Sequence, residues 1–244
     1  FILTNGCDEA INVVLSAYLN ANEEILSVSP TFSMPLLYSK IIGAKCSKVI
    51  YDDKWKFSKD MLLSNLKENT KVIYLASPNN PTGDIIEPCI VEEILQQCNN
   101  NIILLDLTYV NYSDYDERDY YNLVKKYKNL VCVKSFSKDY ALAGLRLGFI
   151  LASEEMILEF KKVISPYSVN SLAVYAGIKA LEDKKHFASI RLEVQRSKEF
   201  LMNELRLLGF MPYESQANFV LVNFGERAEF AYNKLSKDGI KVRK

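Results

Sequence analysis

The first 150 residues alternate short apolar runs with amphipathic stretches. Apolar runs of strand length lie at residues 25–28, 46–51, 72–75, 102–105, 130–133 and 147–151. Between them, apolar residues recur with helical spacing at residues 8–19, 35–42, 59–66, 87–97 and 123–127. Apolar strands that alternate with helices predict an α/β fold with a mostly parallel sheet and helices on both faces.

The pattern changes after Ile150. Helical periods dominate residues 154–164, 172–181 and 187–208, and Gly209 is a plausible helix end. Two strand-like runs follow, and then a further helix, at residues 210–213, 218–223 and 226–237. We therefore predict a large α/β domain over residues 1–168, and linking helices with part of a smaller α+β domain over residues 169–244.

The two ends of the chain indicate whether the predicted domains are complete. The chain begins without Met, at an apolar Phe1 just before a polar cluster, and ends at Lys244 directly after a strand-like run. These features predict a piece of a longer protein, with a large domain that is incomplete at its N-terminus.

Composition and charge exclude several classes of protein. Thirty basic and thirty acidic residues cancel, so no net field draws the chain to nucleic acid or to anionic lipid. Apolar runs stay below the roughly 18 residues of a membrane span, and we expect a soluble, cytoplasmic protein. The five cysteines form no Cys-x-x-Cys pair, which indicates reduced thiols rather than disulfides or a zinc site.

Polar clusters follow three of the predicted strands, at residues 77–83, 106–109 and 135–146. The carboxyl ends of parallel strands share one edge of a sheet, where ligands bind in such folds. A fourth cluster, at residues 5–8, opens the first predicted helix, where exposed backbone amides bind anions. The sequence therefore predicts one binding site to which several loops contribute.

The cluster at residues 135–146 carries the most specific chemistry. Lys138 follows Ser137 just beyond a predicted buried strand, and Arg146 lies eight residues further on. Such a lysine can form an imine with an aldehyde cofactor, while hydroxyls and a guanidinium hold a phosphate. Taken alone, Lys138 is also compatible with a surface lysine in a loop, and Asp106 with an aspartate that caps a turn.

Four segments together resemble a known family. They read Ser-Pro-Asn-Asn-Pro-Thr-Gly at 77–83, Ala-Leu-Ala-Gly-Leu-Arg at 141–146, Asn-Gly-Cys-Asp-Glu at 5–9 and Val-Ile-Ser-Pro-Tyr-Ser at 163–168. The chain resembles, over its whole length, the fold-type I aminotransferases that depend on pyridoxal 5'-phosphate, and among them the histidinol-phosphate aminotransferase branch. The resemblance implies that fold, that cofactor and a homodimer.

The resemblance implies three catalytic residues. Lys138 would carry the cofactor and, once displaced, move a proton between the substrate carbon and the cofactor carbon; burial would help to keep its amine neutral. Asp106 would face the pyridine nitrogen and keep it protonated. Tyr109 would donate a hydrogen bond to the ring hydroxyl.

Further residues would bind the cofactor in other ways. Asn80 would contact the ring hydroxyl, and Phe32 would stack on the ring. The phosphate would be held by the helix start, by hydroxyls and by a guanidinium, at Gly6, Cys7, Asp8, Ser135, Ser137 and Arg146. Arg243 matches an arginine near the substrate phosphate in the histidinol-phosphate branch.

The chain departs from the family pattern in two places. Leu107 and Thr108 replace the common Glu-Ala pair, so that Thr108 would lie against the ring, and Phe32 stands where tyrosine is common. Two family elements lie outside these 244 residues: a tyrosine from the neighbouring subunit, upstream of Phe1, and an arginine that binds substrate, downstream of Lys244.

Three functions are compatible with these residues. The first is transamination between histidinol phosphate, or a related amino donor, and 2-oxoglutarate. A pyridoxal-phosphate lyase or decarboxylase, such as one acting on threonine phosphate, would share the cofactor site. The third is a non-catalytic α/β binding module, against which the presence of Lys138, Asp106, Tyr109, Asn80 and Arg146 argues.

Overall fold

A seven-stranded sheet forms the centre of the molecule, with the strand order β1-β7-β6-β5-β4-β2-β3. The structure, a computed structural model, describes residues 1–52 and 54–244. The strands are β1 Ile2–Asn5, β2 Glu24–Ser29, β3 Lys45–Ile50, β4 Thr70–Ala76, β5 Ile102–Asp106, β6 Leu130–Ser135 and β7 Leu147–Leu151. The six predicted strands of the sheet are confirmed within one or two residues.

Most neighbouring strands in this sheet are parallel. β3, β2, β4, β5 and β6 pair in parallel, whereas β7 pairs antiparallel with both β6 and β1. This arrangement confirms the mostly parallel sheet. The pattern did not predict β1, because its four residues Ile-Leu-Thr-Asn hold only two apolar side chains and its pairing with β7 is long-range.

Helices cover both faces of the sheet, as predicted. They are α1 Gly6–Tyr18, α2 Met34–Ile42, α3 Lys59–Ser64, α4 Pro88–Gln97, α5 Glu117–Lys126, α6 Glu154–Val163, α7 Ser171–Glu182, α8 Lys184–Leu207 and α9 Ala228–Lys237. Alternate side chains of each strand join different apolar clusters: Tyr74 packs with α1 and α6, while Leu75 packs with α4 and α5. The sheet is therefore buried on both sides, as its continuous apolar runs require.

The predicted start of α5 and the two strand-like runs near the end of the chain differ from the structure. α5 begins at Glu117 rather than near residue 123, because its first turn is polar and is started by Asp116, whose carboxylate accepts from the Arg118 N–H at 2.8 Å. The strand-like runs at 210–213 and 218–223 form only one bridge, between Pro212 and Val222.

The segment between those two runs bonds to the first half of the chain. The Gln216 N–H donates to the Gly83 carbonyl at 2.8 Å, so residues near 216 contact the loop after β4. A Cβ on Gly83 would lie 2.3 Å from Ser215 Oγ, which requires glycine there. These contacts join the segment between the two strand-like runs to the loop after β4.

The boundary at residue 168 stays a prediction. α7 belongs to the second predicted part, yet it packs closely against β7, since a Cβ on Gly177 would lie 2.4 Å from Leu147 Cδ2. Gly209 has φ +82° immediately beyond α8 and Leu208, which confirms it as the helix end. Within the part of the chain that the structure describes, no helix combines the length and apolar character needed to cross a membrane.

Gly148 allows the start of α1 to approach the sheet. A Cβ at this position would lie 2.7 Å from the Gly6 carbonyl carbon and 2.9 Å from both Cys7 N and Lys134 O. All three are backbone atoms, so neither α1 nor β6 can give way by rotating a side chain. Gly148 therefore fixes where the first turn of α1 lies.

We expect Gly148→Ala to lower the free energy of unfolding by about 2 kcal/mol or more, the usual scale of overpacking. Urea unfolding followed by circular dichroism measures the change. Gly144→Ala is the matched control, because a Cβ there meets nothing within 4 Å among the described residues. Equal unfolding midpoints for the two variants would contradict the close approach.

Candidate active site

The loops after β4, β5 and β6 lie side by side at the carboxyl edge of the sheet. The Ser77 N–H donates to the Asp106 carbonyl at 2.9 Å, and the Leu107 N–H donates to the Val133 carbonyl at 2.9 Å. These bonds continue the parallel ladders one residue past the strands. The three polar clusters are thus brought together at the edge where the sequence predicted them.

Asp106 is a buried carboxylate with fixed hydrogen-bond donors. Tyr74 Oη donates to Asp106 Oδ2 at 3.1 Å, and the Thr108 N–H donates to Oδ1 at 2.9 Å. Burial raises the pKa of Asp106 above its ordinary value, and the bonds from Thr108 and Tyr74 offset part of that rise. The group is therefore oriented, poorly solvated and suited to a cationic partner.

The thiol of Cys7 belongs to the same surroundings. Burial, and then the negative charge of Asp106, raises the pKa of the Cys7 thiol well above its ordinary value. Cys7 accordingly stays a neutral thiol at neutral pH. The first turn of α1 therefore adds no negative charge beside Asp106 through this residue.

Lys138 and Tyr109 lie close together. Lys138 Nζ lies over the Tyr109 ring, 5.8 Å from its centre. The ring of Phe219 packs edge-to-face on Tyr109, with 5.0 Å between the ring centres. The Lys138 side chain is exposed in the structure. The expected chemistry favoured a buried amine, so this expectation is not met. Burial, and then Asp106, raises the pKa of Tyr109 to about 12, so its hydroxyl remains a hydrogen-bond donor at neutral pH.

Arg243 is exposed, and its charge acts on Tyr109. Its positive charge lowers the pKa of Tyr109, against the larger effects of burial and Asp106. The end of the chain therefore contributes a positive charge to the electrostatics of Tyr109.

The start of α1 combines backbone amides with a guanidinium. Gly6 has φ +78°, a backbone conformation that favours glycine, and a Cβ on it would lie 2.6 Å from Arg146 Nη2. Arg146 Nη2 donates to Asp8 Oδ2 at 3.1 Å, and both side chains are about half exposed. The Asn5 side chain makes no capping bond, so the first amides of α1 are not occupied by it.

Two serines lie in the turn before Lys138. Ser135 Oγ accepts from the Ser137 N–H at 3.1 Å and so holds the turn. Ser137 Oγ is buried and has no hydrogen-bond partner among the described residues. A buried hydroxyl without a partner is costly in a folded protein and indicates a position for a bound group.

Asn80 lies on the loop after β4 and Phe32 on the loop after β2, and hydrogen bonds of Asn79 join these two loops. Asn79 is fully buried; its Nδ2 donates to the Pro30 carbonyl at 3.0 Å, and its Oδ1 accepts from Thr31 Oγ1 at 2.6 Å. Asn80 is half-buried, and the half-buried Phe32 packs against the apolar cluster around α1. The position of Phe32 is thus set through Asn79.

Sequence reasoning missed Tyr74, Asn79 and Phe219. For Tyr74 a signal existed: it is a hydroxyl-bearing residue within an apolar strand, and Asp106 lies on the next strand. Asn79 was overlooked in favour of its neighbour in the same turn. Phe219 gave no local signal, since its contact with Tyr109 joins residues 110 positions apart.

Known proteins resemble the chain along its whole length. The family model for "Aminotransferase class I and II" matches residues 1–244. The chain belongs to this family. Histidinol-phosphate aminotransferase 1 of Carboxydothermus hydrogenoformans is 35% identical over 243 residues, which cover 99% of this chain and 68% of that protein. The histidinol-phosphate aminotransferase of Clostridium novyi is 34% identical and is covered to 66%. The chain thus spans about two thirds of the length of these relatives.

Solved structures show the same fold. A putative histidinol-phosphate aminotransferase from Erwinia carotovora atroseptica superposes with a TM-score of 0.92 at 23% identity, covering 99% of this chain and 71% of that chain. The Sinorhizobium meliloti histidinol-phosphate aminotransferase, solved with pyridoxal-5'-phosphate, gives 0.91 at 24% identity and covers 99% and 67%. These findings confirm the predicted fold type I and a family of enzymes that use pyridoxal phosphate.

Two features of this chain fit that cofactor. The buried hydroxyl of Ser137, which has no partner among the described residues, can donate to a phosphate oxygen. The glycine at position 6 leaves the first amides of α1 open beside the Arg146 guanidinium. Asp106, buried and oriented, can pair with a protonated ring nitrogen.

We expect Asp106→Asn to stabilise the protein against urea when pyridoxal phosphate is absent. The folded state raises the pKa of Asp106, so stability falls as the pH rises from the usual carboxyl value of about 4 through that raised pKa. Asparagine does not ionise, so the variant avoids this loss. Its gain in stability over the unaltered protein should therefore be greatest above the raised pKa of Asp106. Urea midpoints at pH 3.5 and pH 7.5 test this: the variant should gain more at pH 7.5, and an equal difference at both would contradict it.

Proposed function

We propose that the protein containing this chain transfers the amino group of histidinol phosphate to 2-oxoglutarate, with pyridoxal phosphate as cofactor. The observation that carries the proposal is the meeting of Asp106, Tyr109 and Lys138 at one edge of the sheet, beside a buried hydroxyl without a partner. Relatives named for this activity at 34–35% identity support the choice of amino donor.

Each predicted site residue receives a role in this proposal. The phosphate is held by Ser137, by Arg146 and by the first amides of α1 at Gly6, Cys7 and Asp8, with Ser135 ordering the turn. Asn80 and Tyr109 donate to the ring hydroxyl, and Phe32 and Thr108 border the ring. Asp106 keeps the ring nitrogen protonated. When bound, the cofactor withdraws electrons from the substrate carbon that loses its proton.

Lys138 contributes the reacting amine. Its exposed, long side chain would hold the cofactor through the cofactor's aldehyde group. The released Nζ can take a proton from the substrate carbon and return it at a neighbouring atom. Arg243, whose charge acts on Tyr109, would attract the substrate phosphate.

The proposal includes a homodimer in the cytoplasm. Tyr167, Leu172 and Tyr175 are each more than 60% exposed, which is a large apolar area for a surface that faces only water. A second subunit on this surface would remove that area from water, and the family resemblance implies such a pairing.

A panel of amino donors tests the substrate. The complete protein should convert histidinol phosphate and 2-oxoglutarate to glutamate faster, by kcat/KM, than it uses other amino donors. Release of carbon dioxide from threonine phosphate without glutamate would instead identify a decarboxylase. An inert protein that still binds the cofactor would favour the non-catalytic module.

We expect Lys138→Ala to abolish transamination, with a loss of at least about a thousandfold, because the amine both bonds the cofactor and moves the proton. Single-turnover measurements with the amino donor detect the loss, and Lys128→Ala is the control, since Lys128 lies on the surface in an ion pair with Glu155. A half-reaction near the unaltered rate would exclude Lys138 from this role.

We expect Asp106→Asn to lower kcat at least about a hundredfold, equal to ~2.7 kcal/mol of barrier, while the affinity for pyridoxal phosphate falls much less. The reason is that protonation of the ring nitrogen matters most when charge develops on the substrate carbon. Steady-state kinetics and cofactor titration separate the two quantities. A rate within twofold of the unaltered protein would rule out this role.

A further inference from the structure

A second set of charges lies buried on the opposite face of the sheet from Asp106. Lys134, in β6, is 1% exposed, and its Nζ lies 2.9 Å from Asp139 Oδ2 and 2.9 Å from Glu117 Oε2. Burial alone would lower the pKa of Lys134, but the charges of Asp139 and Glu117 outweigh it and raise the pKa. Lys134 is therefore a charged lysine inside the protein.

The buried carboxylate of Asp139 has few partners that compensate its negative charge. Its side chain is fully buried, and its Oδ2 also accepts from Asn111 Nδ2 at 2.6 Å. Neither Asp139 Oδ1 nor Lys134 Nζ has a partner in hydrogen-bond geometry among the described residues, so Lys134 acts on Asp139 through its charge at 2.9 Å. The buried carboxylate is thus held through one oxygen, by Lys134 and Asn111, and losing either contact would leave its charge poorly compensated.

These partners join the two loops that carry the reacting groups. Asp139 directly follows Lys138, and Asn111 lies in the turn Val110–Tyr112, two residues beyond Tyr109. The hydrogen bond from Asn111 to Asp139 therefore connects the loop of Tyr109 to the loop of Lys138. Lys134 fixes the same carboxylate to β6, which belongs to the rigid sheet.

Lys138 needs such an anchor because its own side chain has little support. It is exposed, and its nearest described aromatic contact is the Tyr109 ring at 5.8 Å. The backbone of its turn is held at Phe136, whose N–H donates to the Leu147 carbonyl at 2.9 Å, and by a bond from Ala141 N–H to the Lys138 carbonyl. Asp139 supplies the buried side-chain contact that these backbone bonds lack.

We propose that the buried Lys134–Asp139 ion pair, together with Asn111, positions Lys138 relative to Tyr109 and so determines how readily Lys138 bonds to pyridoxal phosphate. Lys134, Asp139 and Asn111 are positioning residues, since they act through Lys138 and Tyr109. The proposal rests on the proposed function, in which Lys138 is the amine that holds the cofactor.

The test compares single substitutions in the complete protein. Asp139→Asn keeps the shape of the side chain and removes its charge, and Asn111→Ser removes the tie between the loops while leaving the ion pair in place. Lys128→Met removes an exposed ion pair with Glu155 and serves as the control. Two quantities are measured: the dissociation constant for pyridoxal phosphate, and, at saturating cofactor, the ratio of visible absorption from cofactor bonded to lysine to that of the free aldehyde.

We expect Asp139→Asn to weaken cofactor binding at least tenfold and to lower the absorption ratio at least threefold, with Asn111→Ser changing both in the same direction and Lys128→Met changing neither. A pair that only stabilises the fold would shift the urea midpoint but leave the ratio unchanged in the folded protein. The proposal is overturned if both variants keep the ratio and the dissociation constant within twofold. If Asp139→Asn does not fold, Asn111→Ser decides by the same criterion.

The failure of the proposed function is a separate outcome. In that case the unaltered protein itself would show no absorption from cofactor bonded to lysine, and this proposal would fall with it. A normal ratio in the unaltered protein and in both variants would overturn only the positioning role.

Discussion

The parallel pairing of β4, β5 and β6 is the constraint on which the site depends. Its register places Ala76 opposite Asp106, and Asp106 opposite Val133, so β4 and β5 end together and β6 ends two residues further on, at Ser135. That register is set by burial on both faces, because a slip of one residue would turn every side chain of a strand to the other face. Apolar strand interiors thus determine where the polar loops meet.

The same alternation separates two buried electrostatic systems. Asp106 shares a face with Leu104 and lies against the first turn of α1, while Lys134 shares the other face with Cys132 and pairs with Glu117 of α5. Each has a desolvation cost that its partners offset in part. Their position at the carboxyl end of the sheet, rather than in its middle, is typical of sites where stability is given up for function.

The sequence predicted the sheet because strands buried on both faces leave an unambiguous apolar run. It predicted where the loops meet, since that follows from parallel pairing alone. Elements whose stability comes from distant partners were missed or misdrawn: β1 needs β7, and residues 210–223 bond to Gly83 and one another through isolated contacts. For the same reason the pairing of Lys134 with Asp139 could not be predicted, because a lone lysine after an apolar run is as common on the surface.

The central claim is that the edge formed by β4, β5 and β6 holds pyridoxal phosphate with Lys138 as the amine. The most direct measurement is borohydride reduction of the complete protein with bound cofactor, followed by proteolysis and mass spectrometry of the peptides. The account predicts that the phosphopyridoxyl mass is found on the peptide containing Lys138, and in a stoichiometry near one per chain. Labelling spread over other lysines, with Lys138 unmodified, would contradict it.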